Sequence, residues 1–146
     1  MPINLKTVLR SVLFAFPFAF SQAQAADLHL YADNGGEHVY LGCFSCSPYN
    51  SSSIWNEYGT YGSEYSSNSI WNDYGRYGSE YSPASPWNEY ATSGSPVLVD
   101  KAGNFYGYFT CNSYRGKRVR SDLMDFLCKN REYIKKNRSK AYEKLF

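Results

Sequence analysis

The sequence predicts an α+β, β-rich fold: two short β-hairpins bracketing an irregular Trp/Tyr repeat array, with a C-terminal α-helix. Three observations predict it. A sixteen-residue unit is written nearly three times in residues 53–68, 69–84 and 85–96, as Ser53-Ile-Trp-Asn-Glu-Tyr-Gly-Thr-Tyr-Gly-Ser-Glu-Tyr-Ser, its near copy from Ser69, and the truncated Ser85-Pro-Trp-Asn-Glu-Tyr-Ala. A strand-turn-strand pattern precedes this block and returns after it. The remaining chain, residues 115–146, is basic and carries apolar residues at helical spacing.

The first 25 residues read as an export signal: Lys6 and Arg10 form the positive flank, Val12 to Phe20 an apolar run, and Ala23-Gln24-Ala25 a small-residue cleavage site, with the cut after Ala25. The apolar run, interrupted by Pro17, is about half the ~20 residues of a membrane-spanning helix, and no transmembrane helix is expected in the mature chain. The expected location is periplasmic or extracellular. Residues 26–146 suffice for one hairpin-repeat-hairpin domain over 26–114 and a basic helix over 115–146.

Leu28 to Tyr31 and Val39 to Phe44 flank Asp33-Asn34-Gly35-Gly36, strong turn chemistry for a hairpin. Val97-Leu98-Val99, a turn at Asp100 to Gly103, and Phe105 to Cys111 repeat the arrangement. The return strands align as Tyr40-Leu41-Gly42-Cys43-Phe44-Ser45-Cys46 against Phe105-Tyr106-Gly107-Tyr108-Phe109-Thr110-Cys111, so the array lies between two copies of one hairpin. Inside it, Trp55, Tyr58, Tyr61 and Tyr65 follow steps of three, three and four, which match a helical face. The glycines, serine pairs and prolines argue against a long helix. The expectation is one helical turn per unit, capped by Ser53, Ser69 or Ser85 and followed by an irregular connection, with rings stacking from copy to copy. Asn56, Asn72 and Asn88 are suited to satisfy backbone groups such a connection leaves unpaired. The last helix begins near Ser121 or Asp122. It aligns Leu123, Leu127, Ile134, Ala141 and Leu145, interrupted by Asn130 and Asn137.

Four cysteines in an exported chain predict disulfides. The candidates are Cys43, Cys46, Cys111 and Cys128. On a continuous strand, Cys43 and Cys46 would stand roughly 10 Å apart, beyond the ~7 Å reach of a bridge, so their pairing requires the strand to end at Phe44. Hairpins paired about a pseudo-twofold axis would instead face Cys46 to Cys111; Cys111 to Cys128 is the competing bridge. With no second closely spaced cysteine pair and only His29 and His38 as histidines, neither a metal site nor a cofactor is expected.

Charge is divided. Residues 26–100 hold nine acidic side chains against Arg76 alone, and residues 101–146 hold twelve basic against four acidic. The basic end can fold onto its own acidic repeat or reach an anionic partner.

The motif Tyr-Gly-x-Tyr-Gly-Ser-x-Tyr-Ser, flanked by Tyr40-Leu41-Gly42 and Asn104-Phe105-Tyr106-Gly107-Tyr108, resembles a group of uncharacterised exported bacterial proteins with aromatic repeats. The resemblance covers about Tyr40 to Tyr114 and implies a bacterial, extracytoplasmic module, with no catalytic residues to transfer.

These features predict a non-enzymatic structural or interaction module of the bacterial envelope or exterior. One alternative is a carbohydrate-binding protein that uses Trp55, Asn56, Tyr58, Trp71, Asn72, Tyr74, Trp87, Asn88 and Tyr90, because exposed rings stack on sugars and amides hydrogen-bond them. Covering of all three tryptophans by neighbouring repeats would collapse this carbohydrate-binding reading, whereas surface stripes would raise it above the structural one. The other alternative is an anionic-surface binder through Arg115, Lys117, Arg118, Arg120, Lys135 and Lys136. The expected partner is thus an envelope polysaccharide or an anionic surface. Glu57, Asp73 and Glu89 share one repeat position and Glu64 and Glu80 another, rows for which solvation is the simplest role and calcium ligation a rarer one. No catalytic motif is present.

Overall fold

The computed structural model describes residues 26–146; the expected signal segment, residues 1–25, lies outside them. Strand β1 (Leu28–Asn34) turns at Gly35-Gly36 into β2 (Glu37–Cys43), and β3 (Val97–Asp100) turns into β4 (Phe105–Tyr108). The first turn is fastened by the Gly36 amide donating to the Asp33 carboxylate at 2.7 Å. The second is organised by Asp100, whose carboxylate accepts from the Ala102 and Asn104 amides and the Tyr106 hydroxyl. Both are short-range devices in which a turn carboxylate replaces water around backbone donors.

The hairpins join through β1 and β3, giving one antiparallel sheet in the order β2-β1-β3-β4. Leu30 opposes Leu98 at the joint, and both are buried. The internal duplication extends to the backbone. Leu30 pairs with Gly42 and Leu98 with Gly107, each beside a register irregularity. Gly42 and Gly107 adopt φ of 113° and 132°, where a side chain is strained, and a Cβ would press on Tyr61 and on the Val119 backbone respectively. The equivalent phenylalanines, Phe44 and Phe109, then meet edge to face with ring centres 5.4 Å apart.

The disulfides are Cys43–Cys46 and Cys111–Cys128, with Cα separations of 5.5 and 5.8 Å. The Cys46 to Cys111 alternative is therefore not formed. β2 ends at Cys43, and the turn that follows folds Cys46 back within bridging distance of its own strand, as a local pairing required. Cys128 reaches Cys111 from the first C-terminal helix.

Between the hairpins there is no helical turn, contrary to the sequence expectation. The backbone instead forms successive β-turns: Asn56 donates to Ser53, Gly59 to Asn56, Ser63 to Gly59, Ser66 to Ser63 and Ser69 to Ser66, and the same bonds return sixteen residues later. The advance per turn is three residues, once four. That is the origin of the three-three-four aromatic spacing, which imitates a helical face without being one. A hydroxyl or amide starts most turns by accepting the amide two residues on, as Ser53, Ser69 and Ser85 do for Trp55, Trp71 and Trp87. The three indoles point inward and are linked by one recurring bond. Trp55 donates to the Phe44 carbonyl at 2.6 Å, Trp71 to Ile54 at 2.7 Å, and Trp87 to Ile70. Ring centres are 5.9 Å apart for Trp55 and Trp71 and 5.2 Å for Trp71 and Trp87.

The C-terminal region is not one helix but three: α1 (Ser121–Lys129), α2 (Arg131–Lys136) and α3 (Arg138–Leu145). The breaks fall at Asn130 and Asn137, the residues that interrupt the apolar stripe. The amides of both side chains bond carbonyls four residues back, a local alternative to continuing the helix. Met124, Leu127, Ile134 and Ala141 are buried in the same core as the tryptophans. Tyr142 packs near Trp55, and Phe146 meets Phe44 at 5.4 Å. Among the described residues, no helix is long and apolar enough to cross a membrane.

Candidate functional site

The turn segment sorts its aromatic residues by position. Trp55, Trp71 and Trp87 are 1, 1 and 6 % exposed, covered by the adjoining turns and the C-terminal helices, so they offer no stacking surface. This corrects their assignment as ligand-binding residues and removes the carbohydrate reading that rested on them: the indoles are part of the core, packed with Leu30, Ile54, Ile70, Met124 and Leu127. Asn56, Asn72 and Asn88 also have structural occupations. Each carbonyl oxygen accepts the amide of Tyr58, Tyr74 or Tyr90, and each amide group donates to the carbonyl of Asn50, Ser66 or Ser82.

The tyrosines those asparagines hold are outside. Tyr58, Tyr74 and Tyr90 form one series at sixteen-residue intervals, and Tyr49, Tyr65 and Tyr81 form a second; all six are between 82 and 99 % exposed. Tyr49 and the second series were not singled out from the sequence, because one aromatic period was assigned to one face. The turn geometry instead puts the tryptophans inside and the tyrosines of both series outside, where Tyr58 with Tyr65, and Tyr81 with Tyr90, line common cavities. Asn112 and Tyr114 are a further missed copy. Asn112 accepts the Tyr114 amide at 3.0 Å and donates to Ala91, leaving Tyr114 fully exposed. The signal was Asn-x-Tyr, present at residues 112–114.

Acidic side chains accompany the rows. Glu57, Glu64, Glu80 and Glu89 each precede an exposed tyrosine and raise its phenol above the ordinary value, first as hydrogen-bond acceptor and then by charge. Asp73 does something else. Its two oxygens receive Arg131 and Lys135 at 2.5 Å each, which fastens α2 to the second repeat. Burial pushes the Asp73 carboxyl up, but the Lys135 hydrogen bond and the charges of Arg131 and Lys135 outweigh it and hold it below the usual value. A carboxylate so engaged is not free to ligate a hard cation. Asp27 lies beside Cys43 and Cys46, but those sulfurs are joined in a disulfide and supply no thiolate.

Two cavities open where the tyrosines meet the helices. One of about 590 Å³ is lined by Tyr81, Tyr90, Glu89, the edge of Trp87 and Arg131. The other, of about 510 Å³, is lined by Tyr58, Tyr65, Glu57, Glu64, Lys136 and Arg138. Both have the mixture of ring faces and a few directional polar groups that suits small polar ligands.

The basic candidates are largely committed within the chain. The Arg115 guanidinium lies 3.8 Å from the centre of the Tyr108 ring. Arg118 bonds Asp125 and the Thr110 carbonyl, Arg120 bonds Asp122, and Lys135 bonds Asp73. Among the six, only Lys117 and Lys136 are without an ion pair or cation–π contact among the described residues. Arg118 and Arg120 are thus paired within the basic end itself, and Lys135, with Arg131 and Arg138, joins it to the acidic repeat through Asp73 and Glu57. His29 bonds the Tyr40 hydroxyl at 2.8 Å, and burial lowers the imidazole while pushing the phenol up to about 12. The pair is half-buried and lines, with Tyr31, Val99 and Asp100, an open depression on the face of the sheet opposite Leu30.

Comparison with protein families, with curated proteins and with solved structures finds no match for this chain.

Proposed function

We propose that the protein is a non-enzymatic, exported interaction module of the bacterial envelope or exterior, and that its contact surface is the pair of tyrosine rows, which bind polysaccharide. The carrying observation is the full exposure of Tyr58, Tyr74 and Tyr90 and of Tyr49, Tyr65 and Tyr81 at a constant interval. Apolar rings held out in water over such a span mark a surface used for association. Tyrosine suits this use, since a rigid ring loses little entropy on contact and its hydroxyl bonds the partner.

The repeat array serves as the frame in this reading. Each sixteen-residue unit buries a tryptophan inward and presents tyrosines outward, so a row of rings meets a polymer that itself repeats. The two disulfides support export, since such bonds persist outside the reducing cytoplasm. The motif resemblance and the signal-like first 25 residues point the same way.

Affinity electrophoresis through gels containing soluble β-glucan, and sedimentation with peptidoglycan sacculi, test the proposal with the wild type and a Tyr58→Ala, Tyr74→Ala, Tyr90→Ala triple variant. Retention by either polymer that the triple variant loses, with its circular dichroism unchanged, is the expected result. Equal retention of both proteins would remove the Tyr58, Tyr74 and Tyr90 row from the binding role, and equal retention by a Tyr49→Ala, Tyr65→Ala, Tyr81→Ala variant as well would remove the second row.

A further inference from the structure

Asn130-Arg131 and Asn137-Arg138 place an arginine at the start of α2 and of α3, seven residues apart. Each arginine faces the same position of a different repeat: Arg131 meets Asp73, and Arg138 meets Glu57, sixteen residues earlier. The first pairing is closed, with Arg131 2.5 Å from Asp73 and 2.8 Å from the Gly78 carbonyl. The second is open. Arg138 lies 3.8 Å from Glu57, too far for a hydrogen bond, and its one short contact is with the Lys135 carbonyl at 2.6 Å.

Yet Arg138 is the more buried of the two, with only 6 % of its side chain exposed, and its Nε, like that of Arg131, has no acceptor among the described residues. A buried guanidinium costs heavily unless paired. Burial depresses it against the opposing pull of Glu57 and Glu64. The side chain lines the cavity of about 510 Å³ walled by Tyr58 and Tyr65, with the exposed Lys136 beside it. An oxyanion entering there would meet the Nη2 end of the guanidinium, which stands 3.8 Å from Glu57 while Nη1 is held by the Lys135 carbonyl, a cationic donor suited to a carboxylate.

We propose that this cavity is a subsite for a carboxylate-bearing sugar unit, its ring held against Tyr58 and Tyr65 and its carboxylate received by Arg138 and Lys136. The inference rests on the tyrosine rows binding polysaccharide and adds a charge preference to them. Glu57 then acts as a competitor for Arg138, displaced when an acidic sugar binds.

Isothermal titration of the disulfide-bonded protein with trigalacturonate, with trimannuronate, and with the fully methyl-esterified trigalacturonate tests this, because the ester keeps the rings and removes the charge. At least one acid is expected to bind about tenfold or more tighter than the ester, as a charged hydrogen bond warrants. Arg138→Met should abolish that ratio. Glu57→Gln should tighten acid binding by about threefold, by removing a competing surface charge. This last variant leaves Arg138 in place and serves if Arg138→Met does not fold.

Equal binding of acid and ester, or weaker acid binding by Glu57→Gln, would overturn the subsite and make Arg138 a structural ion-pair member. In that event, Tyr58→Ala weakening both ligands alike would leave the tyrosine reading standing. No binding of any of the three would overturn the subsite as well.

Discussion

At the scale of single residues, small side chains decide whether the turns can follow one another. Gly62 and Gly78 occupy one repeat position, and a Cβ at either would fall on the backbone of Asn56 or Asn72, atoms with no freedom to retreat. Gly62→Ala and Gly78→Ala are each expected to cost about 3 kcal/mol. Gly59→Ala, whose Cβ would meet the Ser51 carbonyl oxygen at 3.1 Å, should cost about 1 kcal/mol. Urea midpoints of the three variants would check this order, and equal effects would disprove the crowding at Gly62 and Gly78. The tryptophans and tyrosines divide similarly. Trp71→Phe strands the buried Ile54 carbonyl and removes ring volume, for about 3 kcal/mol. Tyr74→Ala, at a 99 % exposed position, should fall within about 0.5 kcal/mol. A large loss of thermal stability in Tyr74→Ala would mean that its ring supports the fold, not a partner.

At the scale of elements, the hairpins were legible because their turns are written in local chemistry. Asp33 to Gly36 and Asp100 to Asn104 fold by contacts within four residues, so the sequence names both partners. The duplication was legible too, down to Phe44 and Phe109. What was not legible was the meaning of the aromatic spacing, since steps of three and four belong to a helix and to a train of β-turns alike. The backbone bonds that separate the two are set by side chains two residues apart, such as Ser53 on Trp55. The exposed tyrosines were missed as two rows for the same reason. In the C-terminal region, the interruption of the stripe at Asn130 and Asn137 was visible, but not that it divides the helix. The cysteines show the limit of pattern arguments: strand length, not pairing symmetry, chose Cys43–Cys46. That bridge closes a small loop and Cys111–Cys128 a larger one, with sequence separations of 3 and 17. Replacing Cys111 and Cys128 by serine should therefore cost about 3 kcal/mol and replacing Cys43 and Cys46 by alanine about 2 kcal/mol on the chain-entropy account. Denaturant titration of the two double variants reads the difference, and the reverse order would place the stabilisation in native packing around Cys43.

At the scale of the whole molecule, the charge division resolves into docking. The helices cover the tryptophans with their apolar residues, and α2 is fixed over the second repeat by Asp73 between Arg131 and Lys135. This joint has a pH dependence whose sign follows from the carboxyl. Asp73 in the folded chain lies below its ordinary value of 3.8, so the folded state binds fewer protons than the unfolded state in the interval between the two values. Its contribution is then fully present above pH 3.8 and is lost as pH falls through the folded value. Asp100, held low by Asn104, and Asp122, held low by Arg120, add their own losses in the same direction, and a wild-type acid titration would mix the three. Asp73→Asn separates them. The variant should be less stable than wild type at pH 7, and the gap in thermal midpoint should persist down to about pH 4 and then narrow toward pH 2, because acid removes from the wild type the charge the variant already lacks. Hydrogen exchange at the α2 amides should rise over the same interval, ahead of β1 and β3, if the joint holds the helix locally. A gap in midpoint that stays constant from pH 7 to pH 2 would mean that Asp73 supports the fold by shape or neutral hydrogen bonding, and that the basic tail is seated by its apolar face alone.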